Sequence, residues 1–563
     1  MKYLVTGAGG FIGGHLVNSL MKQGHEVVCA DIKPIEYWFQ TFEKNENYSL
    51  DLKEYENCLK VTDHVDFVYN MACNMGGMGF IENNKAECML SVLINTNLLR
   101  ACIEKKVKKY FFSSSACVYN AKKQMDVFVP GLKEEDAYPA QPEDGYGWEK
   151  LFSERMCRHF YEDFGLETRV ARYHNVYGSD EIAAVTRQLK KTTQMGKSVA
   201  TFENKISKKF SKKYGLMVNS GSSAIMLALK VLNLREGDEV ITPCLNFGTA
   251  ISSVMHYKLS PIFVDVDVET LQINVDQIEE KISKKTKLLL IPNLIGNIPD
   301  WIKIKKLANK YNLKIIEDSA DTLGAKIKKK TTGFYSDISI TSFYGSHVIS
   351  CAGNGGILLT NNKKYYEKAK VLRSWGRMST LIKDSENINK RLNIRLKGVG
   401  YDKKFVFSEA GYNFEPSEIG ATFGLVQLKK FPKFSKARNR NFFLHRNFFS
   451  RYKKNFIVPK ILKNVYTNFL AYPLILKKNI NFTRKDLQVY LENNKIQTRP
   501  IFSGNILRHP AFSKLVNKKN NLNKFKNADY IMKNGLLIGC HQGLGKKEIS
   551  YIHNQILKFI NKL

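Results

Sequence analysis

Apolar and polar positions fall into two successive series along the chain. The first opens on KYLVTG (2–7), an apolar run that enters the glycine-rich stretch GAGGFIGGHLVNSLMKQG. A second run, EVVCAD, closes at Asp31, and others stand at 66–71, 110–114 and 168–173 with helical stretches between them. Continuous apolar runs alternating with helices predict parallel strands covered on both faces, a Rossmann-type doubly wound α/β sheet over residues 1–179.

The second series starts near residue 180. The stretch 181–210 reads as helical, and VNSGSSAIMLALKVL reads as a turn that opens a helix. EVITPCLNF, SPIFVDVD, KLLLIPN, KIIEDSA and SDISITSFY are short β-rich runs separated by helices. This order predicts a large parallel or mixed sheet over 180–430, followed by a smaller C-terminal α/β part over 431–563.

Bulk properties narrow the function. The chain has 563 residues, too many for one ordinary domain. No run of 18 apolar residues occurs, so membrane insertion is not expected. The N-terminus reads as a strand and glycine turn rather than a signal peptide. Of ten cysteines, seven lie within residues 1–179, and no spacing suits a metal, so none is expected. Reduced thiols and a cytoplasmic location follow.

The net charge of +35 is unevenly placed. Residues 1–179 hold 20 basic and 24 acidic side chains; the remainder hold 67 and 28. The lysines are scattered among asparagines without an aromatic-interleaved stripe, so they read as a solvated surface and nucleic acid is not an expected partner.

The chemistry of the first series begins at its glycines. Gly7, Gly10 and Gly13 follow a strand and open a helix, where bare backbone can approach a pyrophosphate. Asp31, at the end of the next strand, suits the ribose hydroxyls of NAD. Tyr146 and Lys150 form YxxxK, which shares one face of a helix. The ammonium is expected to lower the phenol pKa, so that Tyr146 acts as acid or base. Ser115 is placed to hydrogen-bond the reacting oxygen.

These features resemble the extended short-chain dehydrogenase/reductases. MACNMGGMGFIENN (71–84), SSSACVY (113–119), LKEEDAYPAQPEDGYGWEK (132–150) and RYHNVYG (172–178) resemble the GDP-mannose 3,5-epimerases among them. That resemblance implies proton transfer by Cys117 together with a distant lysine. It ends near Gly178, before the substrate-binding cap and the lysine's segment.

In the second series Gly221, Ser222 and Ser223 open a helix that can hold a phosphate. Phe247 is placed to stack on a flat ring. Asp318 ends a strand, where a carboxylate would keep a pyridine nitrogen protonated. Ser342 is a second candidate phosphate ligand. Order and spacing over 181–563 resemble the DegT/DnrJ/EryC1/StrS sugar aminotransferases, which implies a fold type I enzyme using pyridoxal phosphate or pyridoxamine phosphate.

The family's cofactor-binding lysine falls at His347, which cannot bond the cofactor covalently but can move a proton near neutral pH. The resemblance then implies the sugar 3-dehydratase branch. Asp321, in place of a glutamine, agrees with that branch, as does TRPIFSGNILRHPAF (498–512), which offers Arg499 and Asn505 to the substrate. Asn413 matches a residue that reaches the neighbouring subunit's cofactor, implying a homodimer. Asn354 departs from the family's usual glutamate.

One kind of 3-dehydratase carries a [2Fe–2S] cluster on four cysteines after a DWGR-like segment. Here that segment, SWGRMSTLIKDSENINK, has none, so no iron–sulfur cluster is expected. The resemblance then implies C3 dehydration of a nucleotide-linked 4-keto-6-deoxyhexose, with L-glutamate restoring the amine. A sugar aminotransferase that tolerates histidine and a non-catalytic fusion are the alternatives.

Overall fold

The computed structural model describes residues 1–43, 45–75, 81, 83–124, 132–173, 180–382 and 387–561. Parts of the motifs at 71–84 and 172–178, and of the segment after Ser374, lie outside these residues. The chain divides into two compact units, Met1–Ser179 and Asp180–Leu563.

The first unit is a six-stranded sheet of β1 (Lys2–Thr6), β2 (Glu26–Asp31), β3 (Glu46–Ser49), β4 (Phe67–Asn70), β5 (Lys109–Ser115) and β6 (Glu167–Tyr173). All neighbours pair in parallel, in the order β3-β2-β1-β4-β5-β6. The order reverses between β1 and β4, and the carboxyl ends of such strands flank the usual ligand crevice. Lys85–Glu104 is long and apolar enough to cross a membrane by composition alone. Its Leu98, Leu99, Ala101 and Cys102 are instead buried in the core beneath the sheet.

The second unit holds a seven-stranded mixed sheet. Its strands are β7 (Tyr214–Val218), β8 (Glu239–Pro243), β9 (Ser260–Val264), β10 (Thr286–Pro292), β11 (Lys314–Asp318), β14 (Ile338–Ser342) and β15 (Gly356–Thr360). The order is β7-β15-β14-β11-β10-β8-β9, antiparallel only at the two pairs made by β15. The short strand β12 (Lys326–Ile327) pairs on one side with β13 (Lys330–Thr331) and on the other with β19 (Val465–Tyr466). A hairpin of β16 (Ile394–Leu396) and β17 (Val399–Tyr401) stands by itself. The C-terminal part is a sheet of β18 (Phe456–Ile457), β20 (Ala471–Leu476), β22 (Gly535–Gly539) and β21 (Thr498–Pro500).

Two details depart from the expected elements. The helical stretch after residue 180 is two helices, Asp180–Leu189 and Lys197–Lys209. The second starts where it does because the buried Glu418 carboxylate accepts the backbone N–H groups of Gly196, Ser198 and Val199, supplying a cap and a negative charge at the helix N-terminus. The first is held by Glu181, which accepts from Gln427 and Lys430. The division expected at residue 430 falls inside the 32-residue helix Glu418–Phe449. That helix packs Ala421 and Leu428 into the core of the large sheet and Phe442 and Phe449 into the core of the small one.

Candidate active site

A cavity of about 230 Å³ opens at the carboxyl ends of β11 and β14. Its floor is the start of the helix Gly221–Val231. Ser220 caps that helix by accepting the Ser223 N–H at 3.1 Å. Ser222 lies in the first turn of the same helix, its hydroxyl donating to Thr249 at 2.8 Å. A Cβ on Gly221 would stand 2.8 Å from the Cβ of Ser342, and one on Gly356 would collide with the Ser220 carbonyl. Only bare backbone lets the helix start approach β14 this closely. The result is a cradle of N–H groups and the hydroxyls of Ser220, Ser222 and Ser342, suited to a phosphate.

Asp318 faces the same cavity from the end of β11. One oxygen accepts the Ala320 N–H at 2.9 Å. Burial pushes its pKa up to about 6, that N–H holds it down in part, and neighbouring Glu317 raises it further. Glu317 is itself buried and accepts from Asn293, Ser319 and Ser339. Asp321 is pushed up to about 7 by burial, against the pull of the Ile295 N–H. Neither aspartate forms an ion pair among the described residues. Two buried carboxylates without a cation fit a site built for a protonated ring nitrogen.

His347 lines the cavity in the turn after β14, its ring edge-on to Tyr344 with centroids 6.0 Å apart. Burial lowers its pKa to about 4, with the Ser342 backbone opposing and the Arg438 guanidinium adding to the shift. The imidazole is therefore neutral near pH 7. Its Nδ1 is buried without a hydrogen-bond partner. A buried ring nitrogen without a partner leaves hydrogen-bonding capacity of the imidazole unused in the cavity wall.

Gly221, Ser222, Phe247, Asp318, Asp321, Ser342 and His347 thus line one cavity. Ser223 does not, because its N–H and hydroxyl are used by Ser220. Asn505 is a correction: it is fully buried, outside the cavity lining, donating one N–H to Asp529 and accepting the Leu507 N–H, so it offers no surface to a substrate. Arg499 is exposed on β21 and donates to the Thr498 carbonyl. Asn413 bridges Ser374 outside the cavity.

The sequence reading missed Ser220, Asn246, Tyr344 and Phe502 as lining residues. Ser220 carried a usable signal, a serine directly before a helix. Phe502 carried none: it arrives from the C-terminal part and meets Phe247 edge-on at 6.2 Å. Cys244, Cys351 and Cys540 are buried in three separate cores.

In the first unit Gly7 adopts φ +66, and a Cβ on Gly13 would collide with the Gly7 carbonyl. Gly10 donates its N–H to that carbonyl at 3.0 Å. Asp31 accepts the N–H groups of Gly9 and Lys33, so it also holds the glycine turn in place. Tyr146 and Lys150 share a face of the helix Asp144–Phe164, with the ammonium 5.6 Å from the phenol ring centroid. The Ser115 Oγ accepts the Cys117 N–H at 3.2 Å. The phenol pKa departs from expectation. Burial pushes it up, and the opposing pull of Lys150 is the smaller effect. The half-buried Cys117 thiol is likewise raised by burial. Lys150 is almost wholly buried, 3.4 Å from Glu149, and its Nζ has no hydrogen-bond partner.

Comparison with known proteins follows this division. The NAD dependent epimerase/dehydratase family profile matches residues 3–209. GDP-mannose 3,5-epimerase of Arabidopsis thaliana is 44% identical over 179 residues, 32% of this chain. The chain spans about half the length of that relative, 48%. The dTDP-4-dehydro-2,6-dideoxy-D-glucose 3-dehydratase of Saccharopolyspora spinosa is 30% identical over 394 residues, covering 68% of this chain and 84% of the relative. The solved structure of E. coli GDP-4-keto-6-deoxy-D-mannose-3-dehydratase with bound hydrated PLP aligns with a TM-score of 0.60 at 29% identity, over 68% of this chain and 97% of that one. The profile of the DegT/DnrJ/EryC1/StrS aminotransferase family matches residues 176–557, most of the chain, and this protein belongs to that family.

Proposed function

We propose that the second unit binds pyridoxal phosphate or pyridoxamine phosphate and removes the 3-hydroxyl of a nucleotide-linked 4-keto-6-deoxyhexose, with L-glutamate as amino donor. The observation that carries this reading is His347, a neutral base with an unpartnered Nδ1 where the family's aminotransferases hold lysine.

The residues present fit the cofactor. Ser220, Ser222, Ser342 and the helix N–H groups would hold its phosphate, Phe247 would cover its ring, and Asp318 would keep the ring nitrogen protonated. Bound there, the cofactor supplies an electron sink beside the sugar's C4. Asp318, with no ion-pair partner among the described residues, would be left to pair with that nitrogen. His347, neutral and lining the cavity, would take up a proton beside the ring and return it to the departing C3 oxygen. Phe502 and Tyr344 narrow the mouth and limit water.

For the first unit we propose NAD binding through Gly7, Gly10, Gly13, Asp31 and Lys150, whose Nζ has no hydrogen-bond partner. Epimerisation is not part of the proposal, because the epimerases' lysine segment lies beyond the resemblance. A homodimer is proposed on Asn413 and on the exposed apolar side chains of Ile388, Val399 and Phe407 in the adjoining segment. The free thiols of all ten cysteines support a cytoplasmic setting.

The test is mass spectrometry of GDP-4-keto-6-deoxymannose incubated with the full chain, pyridoxamine phosphate and glutamate. The expected product lacks one oxygen atom and forms with 2-oxoglutarate. An aminated sugar that keeps its oxygen would instead establish an aminotransferase.

A further inference from the structure

A second cavity in the Asp180–Leu563 unit, of about 540 Å³, is lined by Lys208, Lys209, Lys326, Lys329 and Lys330 and by no carboxylate. None of the five makes an ion pair among the described residues. Lysines that read along the sequence as a scattered, solvated surface converge here in space.

The geometry comes from the three-stranded sheet. Lys326 on β12 stands opposite Thr331 on β13 and Tyr466 on β19. Residues directly opposite share a face, so the three form one row. The last turn of the helix Lys197–Lys209 brings Lys208 and Lys209 to the same space. The Thr331 hydroxyl donates to Ser211 at 2.9 Å, tying the sheet to the end of that helix. The β12–β13 turn keeps lysine at 328 and 329, with φ +47 and +69, where glycine or asparagine is the ordinary choice.

Two of the five lysines are held against aromatic rings. Lys209 is half-buried over the Phe431 ring at 4.7 Å, and its pKa is lowered by burial and by Lys326. Lys330 lies over the Phe334 ring at 4.1 Å. Tyr466 has its hydroxyl fixed to Ser435 at 2.8 Å while half of its surface remains exposed. A cluster of like charges around one cavity is relieved by a polyanion, and a fixed aromatic face beside it suits a flat ring.

We propose that this cavity is a binding site for a nucleoside diphosphate, with the diphosphate on the lysines and the base against Tyr466. It is separate from the serine cradle at Gly221 and does not depend on the reaction catalysed there.

The test is calorimetric titration of the full chain with GDP and, separately, with inorganic pyrophosphate. Lys326→Glu/Lys330→Glu should bind one GDP fewer per chain than the parent protein. The control Lys284→Glu/Lys285→Glu, with the same change in net charge on an exposed loop, should lose none. Tyr466→Ala should weaken GDP at this site at least fivefold and leave pyrophosphate unchanged. Thermal melts verify that each variant is folded. Equal GDP stoichiometry in the parent and the Lys326/Lys330 variant overturns the site. Pyrophosphate binding as tightly as GDP, or an unaffected Tyr466→Ala, overturns the nucleoside assignment.

Discussion

Gly221 lies against Ser342 so closely that a methyl group on the glycine would stand 2.8 Å from the serine's Cβ. This contact joins the helix start to β14 and shapes the proposed phosphate cradle. Gly221→Ala should lower pyridoxamine phosphate affinity at least tenfold and cost about 1–3 kcal/mol of stability, the usual range for overpacking. Gly221→Ala/Ser342→Gly should recover the stability, because the colliding Cβ is gone, but not the full affinity, because a hydroxyl is lost. Cofactor titration and thermal melts read the two effects separately.

His347 gives a prediction in pH. With its pKa lowered to about 4, the imidazole is already neutral at pH 6. Turnover should therefore hold as pH falls from 8 to 6, where a histidine at its ordinary 6.5 would lose its base form. His347→Ala should cut turnover by about 10²–10⁴-fold, the span of general acid–base catalysis, while cofactor binding persists. His347→Lys should instead take up pyridoxal phosphate covalently, detected by mass spectrometry after borohydride reduction.

Asp318 sets function against stability. Its folded pKa of about 6 is above the unfolded value of 3.8. The cofactor-free protein therefore enjoys the protonated carboxyl at low pH and loses that contribution as pH rises from about 4 through 6. Asp318→Asn should remove the loss, making the cofactor-free variant more stable than the parent at pH 8 by at most about 3 kcal/mol. The same variant should bind the cofactor poorly. Denaturant melts at pH 5 and pH 8, with and without cofactor, test both halves.

Acid should loosen the C-terminal part first. His445 is fully buried; its Nε2 meets the Gly539 carbonyl at 3.0 Å and its Nδ1 meets His553 Nε2 at 3.0 Å. The His445 nitrogen facing the carbonyl must donate, so its Nδ1 accepts from His553 and both rings are neutral. Burial lowers His445 to about 3 and His553 to about 4. Depressed folded pKa values mean that this stability is complete above pH 6.5 and is lost as pH falls toward 3. Hydrogen exchange at β22 should rise on acidification from pH 7 to pH 4.5 before it rises at β11. His445→Gln should flatten that dependence.

Much of this architecture is legible in local pattern. Gly7, Gly10 and Gly13 after an apolar strand, and Asp31 after the next, place the first crevice because strand, turn and helix are contiguous. Gly221, Asp318 and Ser342 are legible for the same reason, each ending or opening an element. The break at 190–196 was not, since it depends on Glu418, more than 200 residues away. Phe502 and the lysine cavity were hidden likewise, being products of tertiary approach. Asn505 shows the opposite failure: its motif pointed to substrate, but the side chain is fully buried and its amide donates to Asp529, 24 residues further on. The phenol of Tyr146 erred in sign because spacing reveals Lys150 but not the depth of burial.

The carboxylates of Glu418 and Glu181 have one more implication. Both fasten the opening helices of the second unit to the same long helix, using only residues from 180 onward. The unit therefore carries a starting latch built from its own residues. In engineering terms, Asp180 is a ready splice point. Exchanging the segment upstream of Asp180 leaves every partner of this latch in place.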